Sequence, residues 1–182
     1  MNLKPNTLTF IGLCRDYVNA VENVDGADGR EFLRTLVRLL PRIYITATDL
    51  ETPMAMTDDE PMLDPCLEED YYEALRVKIE NLLGPDDVYL EVFEQEMRYS
   101  DTPIRASLAE GICDLFQTLY NFMETLKGAL DDDSMAQAIC AVREEFKASW
   151  SQTLVNLMRP LNALINHTLD DDGDIIDNNE ED

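Results

Sequence analysis

The residues whose types and spacing come nearest to chemistry in this sequence are carboxylates. Glu69, Asp70 and Glu73 stand together on one face or at the start of a helical stretch, and Glu91 and Glu94 follow beyond a Gly84-Pro85 turn. Side chains three or four apart on a helix are neighbours, so each group presents its oxygens together. Grouped carboxylate oxygens are ligands of the kind that hard divalent cations take. A second acidic group, Asp170 to Asp174 with Gly173, looks like the middle of a calcium loop. Placing Gly173 at the sixth loop position puts Thr168 at the first and Asn179 at the twelfth, where such a loop needs Asp and a bidentate Glu. That segment therefore reads as a solvated acidic tail. His167 is the sole histidine. Near the end of a helix it favours the macrodipole, and alone it makes neither a zinc site nor a nucleophilic triad. No phosphate-binding glycine loop, dinucleotide fingerprint or nucleophile elbow occurs, so no catalytic or cofactor-binding residue is assigned and no cofactor is expected.

The layout of Glu69, Asp70, Glu73, Glu91 and Glu94 resembles that of all-helical nucleoside triphosphate pyrophosphohydrolases. Those enzymes carry an E-E-x-x-E group and then E-x-x-D on the next helix. The resemblance implies a Mg²⁺ ion bridging substrate phosphates and release of pyrophosphate. Glu94 stands where the pattern asks for Asp, and Asp70 with Glu73 also reads as a capping box. This enzyme is the alternative reading, not the leading one.

Charge shapes the leading one. The chain has 38 acidic and 14 basic residues and a formal net charge of −24. Eight of the carboxylates lie at or beyond Asp170, where no Lys or Arg occurs, so the body is acidic as well. Such a surface repels phosphate backbones and anionic lipid, and no basic stripe is read as breaking it. Direct contact with nucleic acid or a membrane is thus disfavoured, and a basic protein partner is favoured. The four cysteines, Cys14, Cys66, Cys113 and Cys140, are widely spaced and read as free thiols, not a disulfide frame. Leu8 to Cys14 lacks the basic flank and length of a signal segment, and no apolar run approaches a membrane span. The expected location is the cytoplasm.

Helical periodicity positions all of these groups. Phe10, Leu13, Cys14, Tyr17, Val18 and Val21 form one stripe of a helix over about Thr7 to Glu22. Asp28 and Glu31 form a capping box ahead of a second helix, with Phe32, Leu33, Leu36, Leu40 and Ile43 inward and a kink near Pro41. Glu51 to Pro65, with three prolines, reads as a loop. A third helix turns Tyr72, Leu75, Ile79, Leu82 and Leu83 inward and stops at Gly84-Pro85. Val88 to Met97 alternates like a strand but offers no obvious partner, and is expected to be a short helix or irregular. Ser107 and Glu110 box the fourth helix. Ser134, with Gln137, is expected to cap a fifth running to Leu164 with a bend from Pro160. The predicted fold is all-α, a single-domain antiparallel bundle of about five main helices over residues 1–169, followed by an acidic disordered tail, 170–182.

Ser107-Leu, Asp114-Leu-Phe, Leu119-Tyr120, Arg143, Glu145-Phe146 and Trp150 ahead of Leu154 and Leu161 resemble an uncharacterised bacterial all-helical family, a domain of unknown function. Leu39-Leu-Pro-Arg-Ile-Tyr44 is similar to its early helix, so the likeness covers mainly residues 30–165. Where family members often carry histidines after the tryptophan, Ser151, Gln152 and Thr153 stand here, which argues against a metal role there. The resemblance implies a helical, cytoplasmic, bacterial protein and brings no activity. The leading expectation is a non-enzymatic adaptor or regulatory protein binding a basic partner, with oligomeric state open.

Overall fold

The computed structural model describes residues 3–51, 61–91 and 104–166. Six helices and a two-stranded sheet make up the described chain: α1 Pro5–Glu22, α2 Gly29–Thr48, α3 Glu69–Leu83, β1 Val88–Glu91, β2 Ile104–Ser107, α4 Leu108–Gly128, α5 Asp132–Glu145 and α6 Ser151–Asn166. A π-turn, Phe146–Trp150, joins α5 to α6 without a break, so the bundle has five helical rods. Its core draws on every one of them, with Phe10, Tyr17, Leu36, Leu40, Ile79, Ile112, Phe116, Phe122, Trp150 and Leu161 all buried. No helix among the described residues is long and apolar enough to cross a membrane.

The apolar stripes of α1, α2 and α4 fall where the 3.6-residue period puts them. Asp28 caps α2 by accepting from the Glu31 N–H at 3.0 Å, and Ser107 caps α4 by accepting from the Glu110 N–H at 3.1 Å. Gly84 ends α3 at a φ of 54°, a left-handed turn open to glycine at no steric penalty. Pro41 and Pro160 both lie inside helices that continue past them.

Four expectations need correction. Val88–Glu91 is a strand, paired antiparallel with Ile104–Ser107 in the register Val88 to Ser107 and Glu91 to Ile104. Its partner is only four residues long and runs straight into the α4 cap, which hid it. The rest of the stretch to Met97 lies outside the described residues. At α3 the N-cap is Glu68, which makes no side-chain cap bond; Asp70 sits within the first turn, where a negative charge suits the helix dipole. At α5 the cap is Asp131, accepting from the Ser134 N–H at 2.8 Å, and Ser134 is its reciprocal partner. The π-turn is the fourth. Val142, Phe146, Trp150 and Leu154 are all buried at strict four-residue steps, each of which over-rotates an α-helix by about 40°. The extra residue of the π-turn absorbs that drift. Trp150 Nε1 then donates to the Val142 carbonyl at 3.0 Å. Its ring lies 4.5 Å from Phe146 and 6.4 Å from Phe10.

Candidate functional site

Two adjacent tyrosines open α3. Neighbours on a helix diverge by about 100°, so Tyr71 and Tyr72 straddle the ridge of α4 opposite them. The Tyr71 ring meets Phe116 at 6.3 Å and Tyr120 at 6.4 Å, and Phe116 and Tyr120, four apart on α4, lie 5.4 Å from one another. The Tyr71 hydroxyl donates to Glu22 at the end of α1, 3.2 Å. The Tyr72 hydroxyl donates to Asp114 on α4, 2.7 Å. The approach to α3 is pinned to the same ridge: Asn121 Oδ1 accepts from the Cys66 and Leu67 N–H groups at 3.0 and 2.9 Å, and Thr125 Oγ1 accepts from the Asp64 N–H at 3.0 Å.

The result is an aromatic face among carboxylates. Burial, and then the neighbouring acids, push all three tyrosines above their ordinary range: Tyr71 beside Glu22, Tyr72 beside Asp114, and Tyr120 beside Glu124 and Glu22. The hydroxyls stay protonated, and those of Tyr71 and Tyr72 keep donating. Glu22 and Asp114 are exposed and make no ion pair with a described residue. The bases nearby are occupied, Arg76 by Glu73 and Glu80, Lys78 by Asp25 and Lys127 by Glu124. Each of the two free carboxylates therefore has oxygen lone pairs left for an ammonium or guanidinium. The tyrosine rings beside them add a cation–π surface. None of this was legible in the sequence, because the two hydroxyl contacts join residues 42 and 49 apart.

Glu69, Asp70 and Glu73 are exposed on the first turns of α3, and Glu73 is engaged by Arg76 at 2.9 Å. Glu91 is buried in β1 and accepts from the Tyr89 hydroxyl at 3.2 Å. Glu94 lies outside the described residues, as do His167, the calcium-like segment and the middle of the Glu51–Pro65 stretch. Among the described residues no three His, Cys, Asp or Glu side chains form a group able to hold a metal ion. The structure thus does not gather Glu69, Asp70, Glu73 and Glu91 into one site.

The expectation that no basic stripe interrupts the acidity is corrected by α2. Arg30, Arg34, Arg38 and Arg42 recur at four-residue steps along it, all exposed, with Glu31 as its sole acid. Beside α2 lies α6, and Pro41, Tyr44, Ile45, Val155, Met158 and Arg159 line a shallow trough of about 620 Å³ between them. A deeper groove of about 920 Å³ lies on the other side of Val155 and Arg159, walled by β1 and α6.

The chain matches the model of a family described as a domain of unknown function, DUF5063, over residues 2–167. It is similar in fold to the crystal structure of protein BF1032 from Bacteroides fragilis. The two share 23% identity and a TM-score of 0.76, across 92% of this chain and 96% of that one. Comparison with curated proteins gave no match. The family match covers nearly the whole chain, and the protein accordingly belongs to the DUF5063 family.

Proposed function

We propose that the protein is a non-enzymatic interaction domain that takes a basic segment of another protein on the acidic tyrosine face of α1, α3 and α4. The observation supporting this is the pair of exposed carboxylates, Glu22 and Asp114, without an ion pair among the described residues and each aligned by a tyrosine hydroxyl. A carboxylate held in place by one donor loses little further freedom when a Lys or Arg arrives. Around it the net charge of −24 steers a basic partner in and rejects anionic ones. A cytoplasmic setting fits this reading.

The test is capture from native cytosol at low and moderate salt, with the wild type and an Asp114→Asn, Glu22→Gln double variant. The reading expects a stoichiometric basic partner that salt weakens and the double variant largely loses. Capture that persists unchanged in 1 M salt, or that the double variant retains in full, would overturn it.

A further inference from the structure

The exposed arginines of α2 and α6 are the anomaly of this surface. In a chain with 38 acids and 14 bases, the guanidinium groups of Arg30, Arg38, Arg42 and Arg159 make no ion pair or hydrogen bond among the described residues. Arg159 lines a trough whose floor is Pro41, Ile45, Val155 and Met158, and Ile45 and Val155 are 60% and 45% exposed. Arg38 and Arg42 lie on α2 within about one or two turns of Ile45 on the same helix face. This is a basic-rimmed apolar strip, the opposite in character of the tyrosine face.

The direction of the two helices fixes what lies beside it. Arg143 donates to the Leu50 carbonyl at 2.6 Å, Tyr44 meets Phe146 edge-on at 5.4 Å, and Pro41 shares the trough with Met158 and Arg159. Numbers fall along α2 as they rise along α5 and α6, so the helices run antiparallel. The end of α6 at Asn166 therefore points along α2 toward Arg38, Arg34 and Arg30. From Asn166 the chain continues through residues 167–182, which carry eight carboxylates and the apolar pair Ile175-Ile176.

We infer that residues 170–182 dock in cis along the α2–α6 strip, their carboxylates on Arg38, Arg42 and Arg159 and Ile175-Ile176 over Ile45 and Val155. Reach is ample. Arg159 lies about 10 Å back along α6 from Asn166 and the α2 arginines span about 18 Å, whereas sixteen residues extend to about 50 Å. A tether this short holds the segment at an effective concentration in the millimolar range, so individually weak ion pairs suffice. No fold of its own is needed for a segment held by charge on a preformed face. Docking would also neutralise this anion-attracting strip, leaving the tyrosine face as a surface open to partners.

Zero-length carbodiimide coupling joins a lysine amine to a carboxylate in contact, so the experiment uses the full chain with Arg38→Lys, Arg42→Lys and Arg159→Lys, read by peptide mass spectrometry of the monomer. Coupling from these positions to Asp170–Asp182 is expected to exceed that from exposed Lys147 several-fold and to collapse in 0.5 M salt. In parallel, the amide resonances of Gly173, Ile175 and Ile176 in the full chain are expected to shift on Arg38→Glu with Arg42→Glu. Coupling no greater than at Lys147, coupling confined to dimers, or tail resonances unmoved by the charge reversal would each overturn the inference.

Discussion

Asp87 offers the sharpest energetic test of how this fold is assembled. It follows Gly84-Pro85 at the end of α3, is 4% exposed, and accepts from the Ala109 N–H at 2.7 Å. Ala109 belongs to the first turn of α4, so a carboxylate from a distant part of the chain caps that helix alongside Ser107. Removing a capping side chain costs about 1–2 kcal/mol, and a charge at a partly buried helix N-terminus adds up to about 1 kcal/mol more. Asp87→Ala should therefore destabilise by about 1–3 kcal/mol, which in a domain of this size lowers Tm by roughly 2–12 °C. Asp87→Asn keeps an acceptor oxygen and loses only the charge, so its loss should stay near 1 kcal/mol. Differential scanning calorimetry with urea titration measures both. An Asp87→Ala protein within about 0.5 kcal/mol of wild type, the level of an ordinary surface change, would refute the reasoning.

Other substitutions and conditions have definite expectations. A Cβ on Gly111 would sit 2.9 Å from Leu157 Cδ2 and 3.3 Å from Cγ, so in Gly111→Ala overpacking of about 1–3 kcal/mol exceeds the helix-propensity gain of about 1 kcal/mol. Its urea midpoint should fall, and a rise would contradict the close α4–α6 approach. Trp150→Phe loses the bond to Val142 together with part of the indole packing, so the loss should be at least about 1–2 kcal/mol by the same titration. Burial, and then Asp114, push the Cys113 thiol from 9.0 up to about 12. The folded state thus favours the protonated thiol; that stability is intact below pH 9.0 and is lost as pH rises toward 12. Urea midpoints should decline over that window and decline less steeply in Cys113→Ala; an unchanged slope would contradict the assignment. Toward a thiol reagent Cys66 should react first, since it is exposed while Cys14 and Cys113 are buried.

Much of the architecture is legible in the sequence because apolar spacing reports burial directly. Phe10, Leu13 and Tyr17, or Leu108, Ile112 and Phe116, repeat at helical intervals, and the core takes them all. Caps are harder to place. At α5 Asp131 and Ser134 each carry an oxygen able to cap, and geometry alone decides between them. The β1–β2 pair escaped because strand pairing is non-local and Ile104–Ser107 is too short to show alternation. The α2 arginines were visible at four-residue steps, yet a charge count averages them into the acidity of the whole chain. The tyrosine face depends on which side of α4 each ring meets, and no spacing within one helix states that. Sequence likeness to a domain of unknown function identified the family, and the fold confirms the helical architecture it implied.

The central claim is that Glu22, Tyr71, Tyr72, Asp114 and Tyr120 form a surface for basic protein segments. The most direct measurement is a nuclear magnetic resonance titration of the full chain with a Lys/Arg-rich peptide, repeated in 1 M salt and with Asp114→Asn. The account predicts shifts clustered on the end of α1, the start of α3 and the outer ridge of α4, abolished by salt. Asp114→Asn should weaken binding by roughly two- to fivefold, the value of about 0.5–1 kcal/mol for one exposed charge. Shifts centred on another face, or binding indifferent to both salt and Asp114, would contradict it.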